Sequence, residues 1–255
     1  MDPNSFSFLL VAIVLVAISM GALIKGMTGV GLPLIAVPAI ASLTSVEEAV
    51  VFMIIPTFGS NVWLVTTHRR FLNSLLQHMP FLIAGFVGGI IGTFLLVALD
   101  DRVLKLVLAA WLALYLVQYS LGDVLRPLFN AKGAVAGVVG AIAGSIQGAT
   151  GVSGHIVAPY FNSRQITPEA YAFLVASAFL VFCVAQMGTA ISTGLFTNER
   201  LILGLIALVP TLLFTRIGAS FAGKISSAVF QRILIVIFVI MEIKLVADVA
   251  GFRLG

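Results

Sequence analysis

Apolar runs about as long as a membrane is thick follow one another along almost the whole chain. A helix needs roughly 20 apolar residues to cross a bilayer, and short polar connectors separate the runs. The runs cover residues 6–24, 46–67, 75–99, 103–121, 133–146, 171–193, 201–221 and 229–249. We therefore predict an all-α integral membrane protein that lives in the lipid bilayer and carries no soluble domain.

The composition excludes the other classes of protein. Only 9% of the residues are charged and 60% are hydrophobic, whereas a soluble domain carries about 25% charged residues. So few charges cannot cover a surface in water, which excludes a soluble enzyme, a disordered chain and a nucleic-acid-binding module. The net charge of +4 comes from basic residues scattered between apolar runs, as in loop anchors, and indicates no nucleic-acid partner.

A glycine motif occurs twice, at matching points of the chain. Residues 26–31 read GMTGVG, and residues 148–153, which lie 122 positions later, read GATGVS. Each copy leads into a short apolar piece with proline, at 33–43 and 155–161, and then into a helix start at Thr44 or Thr167, both good N-cap residues. This pattern predicts two homologous halves of about four helical elements, 1–125 and 126–255, within one membrane domain.

The motif interrupts the first element of each half. Residues 6–43 would measure about 57 Å as one helix, which is too long for a single crossing. If each first element is broken and partly re-entrant, each half crosses the membrane three times and the halves are inverted repeats. Stripes of glycine at helical spacing, at 85, 89 and 92 and from 133 to 148, indicate close helix packing.

Broken helices at matching positions of two halves are typical of transporter sites. The break frees backbone groups, which is tolerable only where they are buried in protein or line a wet cavity. We expect the two breaks to face each other near the midplane. The helix that begins after each break would point its N-terminal amides at an anion. The alternative is a tight turn between short helices at the membrane surface.

Residues 25–31 with Pro33, and residues 147–154, resemble the TauE/SafE family of sulfite and organosulfonate permeases, also described as the four-toluene-sulfonate-uptake-permease family. The resemblance spans essentially the full chain. It implies a secondary transporter of a small sulfur-containing anion (sulfite, thiosulfate, sulfoacetate or another organosulfonate) that works by alternating access in a bacterial inner membrane. The driving force would be protons or the substrate gradient. Assembly into a homo-oligomer is an alternative that the sequence leaves open. The second copy departs at Ser153, opposite Gly31, and at Gln147, opposite Lys25.

Polar residues within the membrane segments are the candidate binding residues. Lys25 would attract an anion, or would snorkel from a helix end. The guanidinium of Arg216 suits sulfonate oxygens, or anchors a helix end. Asn61 and Gln186 would contact the substrate, or bond between helices. The predicted binding residues are Lys25, Gly26, Thr28, Gly29, Gly31, Asn61, Gln147, Gly148, Thr150, Gly151, Ser153, His155, Gln186 and Arg216.

Two of these predictions concern the breaks themselves. The hydroxyls of Thr28, Thr150 and Ser153 would donate to an oxyanion, or would satisfy nearby carbonyls. His155, just after the second break, would titrate or donate to the anion, or would have no role. Both readings remain open for each residue at this stage.

The sequence indicates no catalytic centre, metal site or cofactor. The three histidines and Cys183 lack metal-ligand spacing, and acids are scarce at membrane depth, which argues for an anionic cargo. One rival is an anion channel, which would also use duplicated broken helices. The other is a membrane-embedded enzyme or thiol-processing partner, which would depend on Cys183.

Overall fold

The computed structural model describes residues 3–121 and 132–222, together with 235–236, 239–240, 242–244 and 246–247. All regular secondary structure in the described part is helical, and that part contains no strand. Its helices are α1 (Pro3–Thr28), α2 (Leu32–Ala41), α3 (Val46–Thr67), a 3₁₀ segment (Arg69–His78), α4 (Met79–Ala98), α5 (Asp101–Leu121), α6 (Gly133–Thr150), α7 (Gly154–Asn162), α8 (Pro168–Ser192) and α9 (Asn198–Ser220).

Within the described residues, six helical stretches are long and apolar enough to cross a membrane. They are Val11–Thr28, Val46–Thr67, Arg69–Ala98, Gly133–Thr150, Pro168–Ser192 and Asn198–Ser220. The prediction of an all-α, multi-pass membrane protein is therefore confirmed. Helix α5 covers the run predicted at 103–121, whereas the last predicted run, at 229–249, lies largely outside the described residues.

The starts of the long helices follow from their capping residues. The Thr167 hydroxyl accepts a hydrogen bond from the Ala170 amide at 3.3 Å, as the sequence predicts. At the start of α3 the prediction of Thr44 is wrong, because Ser45 is the N-cap and accepts from the Glu48 amide at 3.1 Å. The hydroxyl of Thr44 instead donates to a carbonyl at the end of α2.

Glycines allow the closest helix contacts. Helix α6 packs along α4, and α1 packs along α9. A Cβ atom added at Gly148 would overlap the backbone of α4 at Gly89 and Gly92. A Cβ added at Gly26 would overlap the backbone of α9 at Thr215 and Gly218. The first helix of each predicted half therefore rests on a late helix of the other.

Other helix contacts also join the two predicted halves. Helix α3 packs against α8 and α9, and α8 packs against α3 and α4. The broad faces left exposed are apolar: Ile83, Val87 and Ile91 on α4 and Ile202, Ile206 and Val209 on α9 all point outward. Apolar side chains gain nothing by leaving lipid, so these faces suit the bilayer. The core holds the two breaks.

Candidate functional site

The first break joins α1 to α2 through residues 29–31. Gly29 has φ 81° and Gly31 has φ 136°, a region of backbone conformation that favours glycine. The Thr28 hydroxyl lies 2.9 Å from the carbonyl of Ile24 and 2.6 Å from that of Val30, and accepts from the Val30 amide at 3.3 Å. The chain then folds back, so that α2 packs against α1.

The second break, between α6 and α7, closes in the same way. The Thr150 hydroxyl lies 2.8 Å from the carbonyl of Ile146 and 3.5 Å from that of Val152, and accepts from the Val152 amide at 3.3 Å. Gly151 has φ 70°. Ser153 replaces the glycine found at position 31 because its φ of −125° suits any residue.

In both breaks the threonine hydroxyl is used within its own loop. This arrangement agrees with the reading in which Thr28 and Thr150 satisfy nearby carbonyls. It gives hydrogen-bond partners to backbone groups that would otherwise be unpaired in a low-dielectric setting. A contact of either hydroxyl with a substrate stays a prediction.

The structure brings the two breaks into contact. A Cβ atom added at Gly154, at the start of α7, would lie 3.8 Å from a methyl carbon of Val30. Val30 packs into the apolar cluster of α4, α6, α7 and α8, whereas Val152 belongs to the cluster built on α1, α2 and α3. Val30 thus packs mainly among helices of the predicted second half, and Val152 mainly among helices of the predicted first half.

Lys25 lies one turn before the first break and is only 1% exposed. Its Nζ donates a hydrogen bond of 2.6 Å to Oδ1 of Asn61 on α3 and stands 5.7 Å from the ring centroid of Phe179 on α8. The snorkelling alternative is therefore wrong, because the amine does not reach the surface. Among the described residues, no acid pairs with Lys25.

Asn61 presents a second open donor beside the amine. Its Oδ1 is taken by Lys25, and its Nδ2 is buried with no hydrogen-bond partner among the described residues. An unsatisfied buried donor costs about 1–3 kcal/mol. In its charged form the Lys25 amine has three N–H donors, of which Asn61 takes one. The Lys25–Asn61 pair therefore offers several donors to an acceptor-rich ligand.

Gln147 and Gln186, which the predicted repeat matches to Lys25 and Asn61, form a neutral group. Gln186 Nε2 on α8 donates to the carbonyls of Gln147 and Gly148, at 3.2 and 3.3 Å. The Ser153 hydroxyl donates to Oε1 of Gln147 at 2.9 Å. The predicted repeat matches Gln147 to Lys25 and Gln186 to Asn61. The structure joins Lys25 to Asn61 by one hydrogen bond, and Gln186 to Gln147 by another. The donors of Gln186 and Ser153 that these contacts use find their acceptors within the protein.

Sequence reasoning missed Trp111 of α5. Its indole Nε1 donates to the carbonyl of Val152 at 2.8 Å, and its ring meets that of His155 edge-on with centroids 4.0 Å apart. His155 is 3% exposed, so it is a buried residue of the second break. The only sequence signal was an indole N–H within an apolar run, where it requires a partner.

Three other predicted binding residues have different surroundings. Arg216 is on an exposed face of α9, with its guanidinium carbon 6.0 Å from the ring centroid of Trp63, so it does not join the Lys25–Asn61 pair. Gly26 and Gly148 are packed against helix backbones. A role of these residues in binding stays a prediction.

The breaks and the buried lysine all fall within one family match. The family model described as sulfite exporter TauE/SafE matches residues 13–245. Comparison with curated proteins and with solved structures gives no significant match. The family match covers well over half of the chain, and it agrees with the resemblance carried by the two glycine motifs. The chain belongs to the sulfite exporter TauE/SafE family, whose members are membrane transporters of sulfur anions and not enzymes.

Proposed function

We propose that this protein is a secondary permease that carries sulfite, thiosulfate, sulfoacetate or another small organosulfonate by alternating access. The observation that carries the proposal is the burial of Lys25 with neutral partners only, among the described residues. An isolated buried charge is costly, and a bound anion removes that cost. A cation carrier would need carboxylates at this place.

The binding site in this proposal lies at the meeting point of the two breaks. Lys25 supplies the charge, and the open amide nitrogen of Asn61 donates to a substrate oxygen. Helices α2 and α7 both begin at a break, so their N-terminal N–H groups face this region, as in other anion sites. Thr28, Thr150 and Ser153 hold the loops in shape, and their hydroxyls add to the polar groups around the site.

Alternating access would move the predicted halves, 1–125 and 126–255, around this site. Three features support a repeat: the matched threonine bonds, the exchanged valines and the exchanged packing of α1 on α9 and α6 on α4. The return of α2 along α1 supports a first element that is broken at residues 29–31, while α1 itself is long and apolar enough to cross the membrane. Inverted repeats around a central site are the usual architecture of secondary transporters.

The two halves differ in charge at the site. Lys25 stands where the second half has Gln147, and Asn61 stands where it has Gln186. The second half thus contributes hydrogen-bonding groups and the first half the charge. This asymmetry suits one anion per cycle, held by one cation.

Transport by purified protein in liposomes tests the proposal. We expect saturable uptake and counterflow of at least one of labelled sulfite, thiosulfate, sulfoacetate, isethionate or taurine. Lys25→Gln should abolish this transport. Lys105→Gln should not, because Lys105 lies on α5 and is already paired with Asp101, with 3.0 Å between Nζ and Oδ2. Conductance that rises linearly with voltage and does not saturate would overturn the permease in favour of a channel.

A further inference from the structure

We propose that Lys25 is also the coupling residue, taking up one proton with each anion that binds and releasing it when the anion leaves. This inference rests on the proposed function, and it names the coupling ion. The protein would then move anion and proton together in the same direction. The structural basis is the neutral shell around a buried amine.

The described interaction partners of Lys25 carry no charge of opposite sign that is fixed in place. Helix α3 contributes the amide of Asn61, and α8 contributes the ring of Phe179 and the thiol of Cys183, which is close enough to interact electrostatically with the amine. Helix α2 carries no titratable side chain, and α9 approaches α1 through Thr215 and Gly218. Cys183 is thus the titratable neighbour to consider.

The charged residues of the packed helices are placed elsewhere. They lie in first turns or on an exposed face: Glu47, Glu48, Glu169, Glu199, Arg200 and Arg216. Glu47 is already paired with Arg200 at 2.9 Å. Glu242 is a further described acid, and its Oε2 is buried with no hydrogen-bond partner among the described residues. Neither Glu242 nor any other described carboxylate forms an ion pair with Lys25.

This surrounding makes the charge of Lys25 depend on the anion. An unpaired ammonium in such a place is expensive, and the protein avoids the expense by releasing the proton. With an anion beside it, the ammonium is paired and hydrogen-bonded, which is the condition under which a buried charge is stable. The empty carrier therefore changes conformation with a neutral amine, and the loaded carrier with an ion pair.

The proton transfer is balanced within the cycle. When the site is open to one side, the lone pair of Nζ forms an N–H bond with a proton from water, and the anion enters beside it. When the site opens to the other side, the anion leaves and that N–H bond returns its proton to water. Lys25 is buried in the described state, so proton and anion use the same opening.

Titration calorimetry of the full-length purified protein tests this inference. Thiosulfate and isethionate serve as probes, because their own charge is constant in neutral and mildly alkaline solution. Binding heats measured in two alkaline buffers of different ionisation enthalpy give the number of protons taken up. We expect about one proton per anion. A value of zero across the neutral and alkaline range would overturn the inference.

Three variants identify the group that takes the proton. Lys25→Arg keeps a permanent charge, so it should bind the probe without proton uptake and transport it slowly. Lys25→Gln copies the residue that the chain has at the corresponding position of the second half, and should weaken binding roughly 10- to 100-fold, with no proton uptake. Cys183→Ala should keep full proton uptake.

The results separate the inference from the function beneath it. Proton uptake that is lost in Cys183→Ala and kept in Lys25→Gln would place the proton on the thiol and overturn the assignment. Binding and transport of thiosulfate without proton uptake would leave the permease intact and overturn only the coupling. Failure of every probe to bind would overturn both.

Discussion

The indole nitrogen of Trp111 donates a hydrogen bond of 2.8 Å to the carbonyl of Val152, in the middle of the second break. This bond ties α5, a helix of the predicted first half, to the loop that carries Ser153 and leads into α7. A carbonyl in a broken membrane helix needs such a partner. The same tryptophan ring packs edge-on against His155, so one side chain supports both the backbone and the ring of the second break.

We expect Trp111→Phe to destabilise the folded protein by about 1–3 kcal/mol, because the carbonyl of Val152 loses its donor while most of the ring packing is kept. The matched control is Trp63→Phe, since the ring of Trp63 has Arg216 beside it and is only partly buried. Thermal unfolding in detergent measures the difference. Equal melting temperatures for the two variants would contradict a structural role for the bond.

Glycine substitutions test the packing of α6 on α4. Gly148→Ala places a methyl group against the backbone of α4 at Gly89 and Gly92, and we expect a loss of about 1–3 kcal/mol from overpacking. Gly137→Ala, on the same helix, has its nearest atom at 3.6 Å and should be neutral or slightly stabilising, because alanine favours helix. Thermal unfolding of the pair checks this, and a Gly148→Ala protein as stable as Gly137→Ala would refute the contact.

Asn61→Asp tests the charge logic of the donor pair. The new carboxylate would lie where Oδ1 now accepts from Lys25 at 2.6 Å, so it would form an internal ion pair and compete with the substrate. We expect anion binding to fall at least about tenfold, the cost of displacing a charge-assisted bond, while the melting temperature does not fall. Binding of thiosulfate by calorimetry, beside a melting curve, measures both.

Asn61→Leu is the control for that experiment. It removes the amide donor and the acceptor together, so it should lower both stability and anion binding. A variant Asn61→Asp that binds thiosulfate as well as the original protein would contradict the assignment of Lys25 as the cation of the site.

The features that could be predicted from the sequence are those determined by residues close together in the chain. The long helices follow from apolar runs. The breaks at residues 29–31 and 151–153 follow from glycines that adopt positive φ, and the start of α8 follows from the capping oxygen of Thr167. Thr44 was the wrong choice of cap because serine and threonine adjoin there, and both can cap.

Tertiary contacts were beyond the sequence. Lys25 could be assigned to either the surface or the interior, since a lysine near a helix end fits both, and only the folded chain puts it against Asn61. Trp111 and Val152 are 41 residues apart, and no spacing rule connects residues on different membrane helices. The predicted repeat placed Asn61 and Gln186 at matching positions of their helices, but it did not identify the residues that they contact.

The two threonines allow a last test, which separates loop structure from substrate binding. Thr28→Val and Thr150→Val keep the shape of the side chain and remove the hydroxyl that each loop uses. If the hydroxyls only close the breaks, each variant should lose about 0.5–1.5 kcal/mol of stability. The larger loss is expected for Thr28→Val, because the Thr28 hydroxyl lies 2.6 Å from the Val30 carbonyl whereas that of Thr150 lies 3.5 Å from the Val152 carbonyl. Thr28→Ser and Thr150→Ser should recover most of that loss. A serine variant with normal transport beside a valine variant that is stable yet inactive would mean that the hydroxyl contacts the anion, since stability measures the loop and transport measures the ligand.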